Sequence, residues 1–243
     1  MPQPSPETCQ DLTHWQPVPT PAPVTLQGRY VTLEPLAAHH AAALWQAVHG
    51  HNELWAWLAL GPYANETAMM ETLERWRQAE EAVLFAIMPG ETGSTGVATD
   101  GASSAGRQAA GWASLMRAEP KHGVVEVGNV LFSPQLQRTR AATEAMYLMA
   151  GHVFDALGYR RYEWKCNALN QPSRRAAARL GFTFEGIFRQ HMVSKGRNRD
   201  TAWFSMLDHE WAARKRAFEA WLAPENFDEE GIQKQSLKQF SAV

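Results

Sequence analysis

The stretch from Gly123 to Glu144, GVVEVGNVLFSPQLQRTRAATE, limits the fold more than any other part of the chain. Val124–Phe132 is apolar and β-branched, the pattern of a buried strand. Pro134 ends it, because proline cannot donate to a strand ladder. From Thr139 the spacing changes. Ala142, Ala145, Met146, Met149, Val153, Phe154 and Leu157 recur at helical intervals and mark the buried stripe of a long helix, Thr139–Leu157, which Gly158 ends. A buried strand running straight into an amphipathic helix requires a sheet with helices packed on it. The helix start is basic, with Arg138 and Arg140. Positive side chains oppose the helix dipole there, while the unpaired N–H groups favour an anion. One reading is a solvated helix start. The other is a phosphate site, in which Thr139 or Thr143 adds a hydroxyl and the small Ala141 and Ala142 let an anion reach the backbone.

The rest of the chain supplies further strands and helices. Gln27–Leu36 reads as a strand and His39–Val48 as a helix. His51–Tyr63, rich in Trp and Leu, reads as a partly helical cover. Asn65 suits the N-cap of a helix carrying Met69, Met70, Leu73 and Trp76 on one stripe. Val83–Met88, Gln108–Arg117 and Tyr159–Cys166 read as strands, as do Phe182–Phe188 and Thr201–Leu207, which a basic loop, Ser194–Arg199, would join. A short helix runs from its cap at Asn170 to Leu180. Trp211, Lys215, Phe218 and Leu222 share one face of a last helix. The expected fold is α/β of the α+β kind: a mixed, mostly antiparallel sheet of about seven strands, with helices on both faces. Residues 1–25 read as a proline-rich arm able to dock on a partner or on the domain. Residues 26–209 read as the domain, with a flexible loop at 89–107, and 210–243 as a helix and polar tail.

Composition excludes several classes. With 23 basic and 25 acidic residues in 243, no global positive field suits nucleic acid. Two cysteines, Cys9 and Cys166, make neither a disulfide framework nor a metal cluster. No apolar run approaches the roughly 20 residues of a membrane span, and the N-terminus has no basic-then-apolar signal. The expectation is a cytoplasmic protein that uses no metal, with surface for a homodimer on the arm and last helix.

Four segments in order carry a resemblance. They are Val125-Glu126-Val127-Gly128 with Gln137-Arg138-Thr139-Arg140-Ala141-Ala142-Thr143-Glu144-Ala145; Leu157-Gly158-Tyr159-Arg160-Arg161; Asn167 to Arg175; and Leu180-Gly181-Phe182 with Glu185-Gly186. Together, over about Gly28 to Trp211, they resemble the GNAT superfamily of N-acetyltransferases, most closely the branch holding the ribosomal-protein alanine N-acetyltransferases. One departure stands out: Arg140 occupies the place of the first glycine in the family's phosphate loop, while Gln137 and Ala142 fit.

The resemblance implies that acyl-CoA, acetyl-CoA above all, binds where the strands Val124–Phe132 and Tyr159–Cys166 splay apart, with a bulge near Gly128-Asn129. Pantetheine would bond to the backbone of Val130, Leu131 and Phe132, and the pyrophosphate would sit on Gln137, Arg138, Thr139, Arg140, Ala141, Ala142 and Thr143. Asn170 and Ser173 would lie by the coenzyme, with Ser173 at the leaving thiolate, and Glu126 would be the base. The reaction would be direct attack of a primary amine within a ternary complex. The amine belongs to a protein N-terminus or a small molecule, and the residues leave its identity open. His122 and His191 are alternative bases, and Tyr159 and Tyr162 alternative acids. Trp45, Trp55, Trp57 and Tyr63 would line the acceptor side, with His191, Lys195, Arg197, Asn198 and Arg199 at its rim. The competing reading is an acyl-CoA-binding or sensing protein without catalysis.

Overall fold

A computed structural model describes residues 11–78, 82–90 and 107–241. In chain order the elements are β1 (Leu26–Gln27), β2 (Val31–Pro35), α1 (Ala41–Val48), α2 (Glu66–Gln78), β3 (Ala82–Pro89), β4 (Gly111–Glu119), β5 (Val124–Phe132), α3 (Arg140–Gly151), β6 (Arg161–Asn167), α4 (Gln171–Arg179), β7 (Thr183–Ser194), β8 (Arg197–Leu207), α5 (Asp208–Leu222) and α6 (Leu237–Phe240). The strands form one sheet in the order β1-β2-β3-β4-β5-β6-β8-β7. Among the described residues, only β5 and β6 pair in parallel. The mixed, mostly antiparallel sheet is as expected, and it has eight strands among the described residues.

The eighth strand comes from a turn inside Gln27–Leu36. Gly28 N–H donates to Val31 O at 2.9 Å and turns the chain into a short hairpin. The buried Glu144 carboxylate of α3 accepts from Arg29 N (2.9 Å) and Tyr30 N (2.5 Å). A Cβ on Gly28 would stand 2.5 Å from the Glu144 carboxyl carbon, so a side chain there would displace the carboxylate that holds the turn. The partner that makes this turn lies 115 residues away.

Alternation along the strands sorts the core into two layers. Phe85, Ile87, Val125, Val127, Tyr162, Phe204 and Met206 pack with α3, α4 and α5. Leu84, Ala86, Met88 and Trp112 pack with Leu44 of α1 and Met69 and Leu73 of α2. The second layer covers β2 to β4, and on that face β6, β8 and β7 carry polar groups instead.

Two segments expected to be irregular are ordered. Lys195 (φ 48°) and Gly196 (φ 72°) alone turn β7 into β8, with Ser194 opposite Arg197. Two left-handed residues suit a tight hairpin, so the expected basic loop is mostly strand. The sequence hides it because β7 is an edge strand exposed along nearly its whole length and lacks apolar alternation. The polar tail also folds. Phe227 bridges Gln233, Asn226 Nδ2 donates to Trp221 O (3.0 Å) and Gln235 O (3.1 Å), and Leu237 of α6 is buried.

The arm docks on the domain. Trp15 Nε1 donates to Lys121 O (2.9 Å), Val18 N to Pro120 O (3.1 Å) and Tyr159 Oη to Pro19 O (3.1 Å). Trp15 lies so close to Gly123 (φ 62°) that a Cβ there would meet its ring at 2.7 Å. Of the loop expected at 89–107, residues 91–106 lie outside the described residues. No helix among the described residues is long and apolar enough to cross a membrane.

Candidate functional site

The parallel pairing of β5 with β6 runs only from Val124–Arg161 to Val127–Trp164. Beyond it β5 stays with β4 as far as Phe132, and β6 stays with β8 as far as Asn167. The sheet therefore opens into a wedge between β5 and β6. A bulge in β5 accompanies the opening. Gly128 faces Ser114 and Leu131 faces Trp112, so three steps of β5 oppose two of β4. Asn129 takes the left-handed φ of 52°, and its Nδ2 donates to Ser114 Oγ at 3.3 Å. Ser114 Oγ in turn donates to Gly128 O at 3.0 Å. The extra residue reverses the alternation: Leu131 joins the α1–α2 layer, and Val130 and Phe132 pack on the α3 layer. The Val130–Phe132 edge away from β4 borders the wedge.

The turn after β5 leads to the helix start. Leu136 is fully buried and anchors it. Gln137 Nε2 donates to Phe132 O (2.9 Å), tying the turn to the strand end. Thr139 is the N-cap of α3; its Oγ1 accepts from Ala142 N (3.1 Å) and donates to Leu136 O (2.7 Å). The N–H groups of Arg138, Arg140 and Ala141 meet no acceptor among the described residues. They form a row of free donors at the positive end of a helix dipole. Arg138, not Arg140, takes the left-handed backbone (φ 63°). Arg140 is the first helical residue, so it needs no glycine freedom. Its guanidinium turns away and lies between the rings of Tyr30 (4.9 Å) and Phe227 (4.5 Å). The sequence did not mark Arg179, whose Nη1 donates to Thr143 Oγ1 at 3.2 Å and whose guanidinium stacks on Trp221 at 4.9 Å. Burial lowers its pKa.

Glu126 faces the opposite side of the sheet from α3 and is buried. Its Oε2 accepts from Arg117 Nη1 at 2.8 Å and lies 3.0 Å from Lys165 Nζ. The Lys165 side chain is 8% exposed and lies 3.0 Å from Glu163 Oε2 and 3.7 Å from the Trp203 ring centre. Beyond it, Arg161 Nε donates to Glu163 Oε1 (2.7 Å) and its other nitrogens clasp Glu185 (2.7 and 2.6 Å), which also accepts from Ser205 Oγ (2.6 Å). The Arg161 bonds, with the Ser205 bond adding to them, hold Glu185 below the usual carboxylate range against some desolvation. The same bonds to Glu185 push Arg161 up.

Ser173 lies on the other side of the wedge, in the first turn of α4. Asn170 caps that helix by accepting from Ser173 N at 3.1 Å. Ser173 Oγ accepts from Trp164 Nε1 at 3.0 Å, which fixes the hydroxyl and leaves its proton to donate. Burial pushes the neighbouring Cys166 thiol up, against a smaller opposing effect from its hydrogen bond with Ser173.

The remaining candidates divide. His191 Nδ1 is 2.9 Å from Thr201 Oγ1, and its ring stands 5.5 Å from Phe188 and 6.0 Å from Trp203, on the Glu126 face. His122 lies in the β4–β5 turn, at the end of β5 away from the wedge. Tyr159 binds the arm, and burial pushes its phenol up to about 12. Tyr162 is enclosed by Phe154 and Phe182, and burial pushes it up further. Trp55 packs on Trp112 (5.9 Å) and Tyr63 (5.1 Å) in the core, and Trp45 stacks on His49. Trp57 is 41% exposed. Lys195 Nζ donates to Trp55 O (2.9 Å) and Gly61 O (2.8 Å), clamping the hairpin tip over the segment before α2. Asn198 Nδ2 binds Asp200 at 2.9 Å. Arg197 is exposed, and Arg199 Nε is buried without a hydrogen-bond partner among the described residues. A separate group, Glu34, His39 and His40, gathers before α1. Ala37 N–H donates to His40 Nδ1 (3.1 Å), which puts the ring proton on Nε2; that nitrogen lies 3.6 Å from Glu34 Oε2 and has no hydrogen-bond partner among the described residues.

Known proteins resemble the chain in family and fold. Residues 31–183 match the family model described as an acetyltransferase (GNAT) domain. A GCN5-related N-acetyltransferase from Brucella melitensis is 46% identical, with 96% of this chain and 100% of that one covered and a TM-score of 0.87. A probable acetyltransferase of the GNAT family from Chromobacterium violaceum is 38% identical, over 88% and 100% of the two chains, with a TM-score of 0.76. RimJ of Mycobacterium smegmatis, solved with CoA-disulfide, shares the fold at 19% identity, over 77% and 89%, with a TM-score of 0.61. No curated protein matches the chain.

Proposed function

Since the chain belongs to the GNAT family of acyl-CoA-dependent N-acetyltransferases, we propose that it transfers an acetyl group from acetyl-CoA to a primary amine by direct attack in a ternary complex. The observation that carries this reading is the opened sheet. Free helix-start donors and the Ser173 hydroxyl lie on the α3–α4 side, and the Glu126 carboxylate lies on the other. A thioester held in the wedge is thus reachable by an amine from the opposite face.

In this reading the coenzyme pyrophosphate rests on the N–H groups of Arg138, Arg140 and Ala141, with Thr139 and Ala142 shaping the turn. Pantetheine runs along Val130, Leu131 and Phe132 as an added strand. The amine lone pair attacks the thioester carbon, and Glu126 Oε1 takes a proton from nitrogen as the C–N bond forms. The C–S bond then breaks, and the thiolate leaves with a hydrogen bond from Ser173. No covalent enzyme intermediate forms. Positioning supplies much of the rate. The acceptor is an amine of a protein N-terminus or of a small molecule, entering between Trp57 and the aromatic patch of Phe188, His191 and Trp203.

Thiol release from acetyl-CoA, measured over a panel of amines and N-terminal peptides, tests this. Glu126→Gln is expected to lower kcat by about 10²- to 10⁴-fold. The acetyl-CoA-induced rise in melting temperature should stay within about a degree of wild type. Binding without turnover over the whole panel would point to the sensor reading instead.

A further inference from the structure

Glu126 is held in an unusual way for a carboxylate in the middle of a sheet. Both of its cationic partners reach the same oxygen. Arg117 arrives from β4 and Lys165 from β6, and each engages Oε2. Oε1 has no partner among the described residues, and it lies 3.4 Å from where a Cβ of Gly128 would stand. That oxygen therefore points along β5 toward the bulge and the wedge.

Neither cation reaches Oε2 by default. Arg117 adopts φ 48°, a left-handed backbone that non-glycine residues rarely take, inside a second bulge where Met116 faces Glu126 and Glu119 faces Val124. Such bulges redirect a side chain. Lys165 is pinned from three directions, by Glu126, by Glu163 at 3.0 Å and by the Trp203 ring. Burying charges like these is weak support for stability, because desolvation offsets the attraction. What the arrangement does supply is a fixed orientation.

We infer that Lys165 and Arg117 are positioning residues, which anchor Glu126 through Oε2 so that Oε1 alone meets the acceptor amine. This rests on the acyl-transfer reading above. The charged groups facing Glu126 are Arg117 from β4 and Lys165 with Glu163 from β6; Arg161 of β6 and Glu185 of β7 stand behind them. Three carboxylates meet three cations, so the set is neutral before the amine's proton arrives. Removing one cation leaves the carboxylate freer to rotate.

The experiment is steady-state kinetics against pH on the full chain, with acetyl-CoA and the best amine of the panel. Lys165→Met is expected to lower kcat about tenfold or more, since misplacement near 1 Å costs up to about 10²-fold. KM for acetyl-CoA should change less than twofold. The acidic limb of the rate profile should move up by about one pH unit, the size expected for losing an opposite charge nearby. Lys165→Arg should restore part of both. In a Glu126→Gln background, Lys165→Met should cost little more, because its target is already gone. Arg117→Gln, at a half-exposed position, is the second variant, and it should move the limb the same way even where Lys165→Met does not fold. An unmoved limb in both variants, or an equal loss with and without Glu126, overturns the inference while leaving acyl transfer standing. A wild type that binds acetyl-CoA but acylates no amine sinks the acyl-transfer reading, and this inference with it.

Discussion

At the start of α3, on one side of the wedge, the polar groups on offer are backbone N–H groups of Arg138, Arg140 and Ala141, held by Thr139 and the buried Leu136. On the other side they are side chains: Glu126, Lys165, Arg117, Trp203 and His191, drawn from β4, β5, β6, β7 and β8. The first side is one run of sequence, and its donors are fixed by the turn that makes the helix. The second is assembled from five strands and depends on charge. A backbone site should therefore fail through packing, and a side-chain network through protonation or loss of a partner.

The largest effect that separates them is expected at Leu136. It is fully buried beneath the turn, and a Cβ on Gly111 would lie 3.0 Å from its Cδ2. Leu136→Ala should cost about 2–5 kcal/mol of stability. For a chain of this length that is a fall of roughly 5–15 °C in melting temperature. Because the donors ride on this turn, KM for acetyl-CoA should rise several-fold while KM for the amine holds. A parallel rise in the amine KM would mean that the two sides are not separate.

Protonation should act on the other side. The Arg161 hydrogen bonds hold Glu185 below its unfolded value of 4.5. A depressed carboxylate stabilises the fold above the unfolded value and loses that contribution as pH falls through the lower folded value. Melting temperature measured downward from pH 5 should thus fall more steeply in wild type than in Glu185→Gln. The effect is modest, because Glu185 is partly exposed. Acetyl-CoA binding just below pH 5 should not differ between the two proteins. If it does, the charge network reaches the phosphate turn.

The same contrast explains what the sequence made legible. The strand, the turn and the helix start appear within Gly123–Glu144, and so does the bulge at Gly128-Asn129, because the residues that form them are neighbours. Glu126 reads from sequence as a strand carboxylate, but its partners do not show there. Lys165 reads as an ordinary strand residue until β6 is set beside β5, and nothing local to Arg117 announces a left-handed bulge. From sequence, Lys195 reads as a cation at the rim of the acceptor site. Its ammonium instead satisfies two carbonyls 134 and 140 residues away. Long-range partners of this kind leave no periodic trace.

The smallest effect concerns Arg140, the residue that departs from the family's phosphate loop. Its side chain lies between Tyr30 and Phe227, while its N–H is free at the helix start. Arg140→Ala keeps that N–H and favours helix at the first position. It removes two stacked contacts worth about 0.5–1 kcal/mol each where partly exposed. The expectation is a fall of a few degrees in melting temperature and a change in acetyl-CoA affinity below about threefold, read by isothermal titration at two salt concentrations. If the guanidinium itself gripped the phosphates, its loss would weaken binding more than tenfold and flatten the salt dependence. That result would move Arg140 from packing to ligand binding, and the α3 side of the wedge would then depend on charge as the other side does.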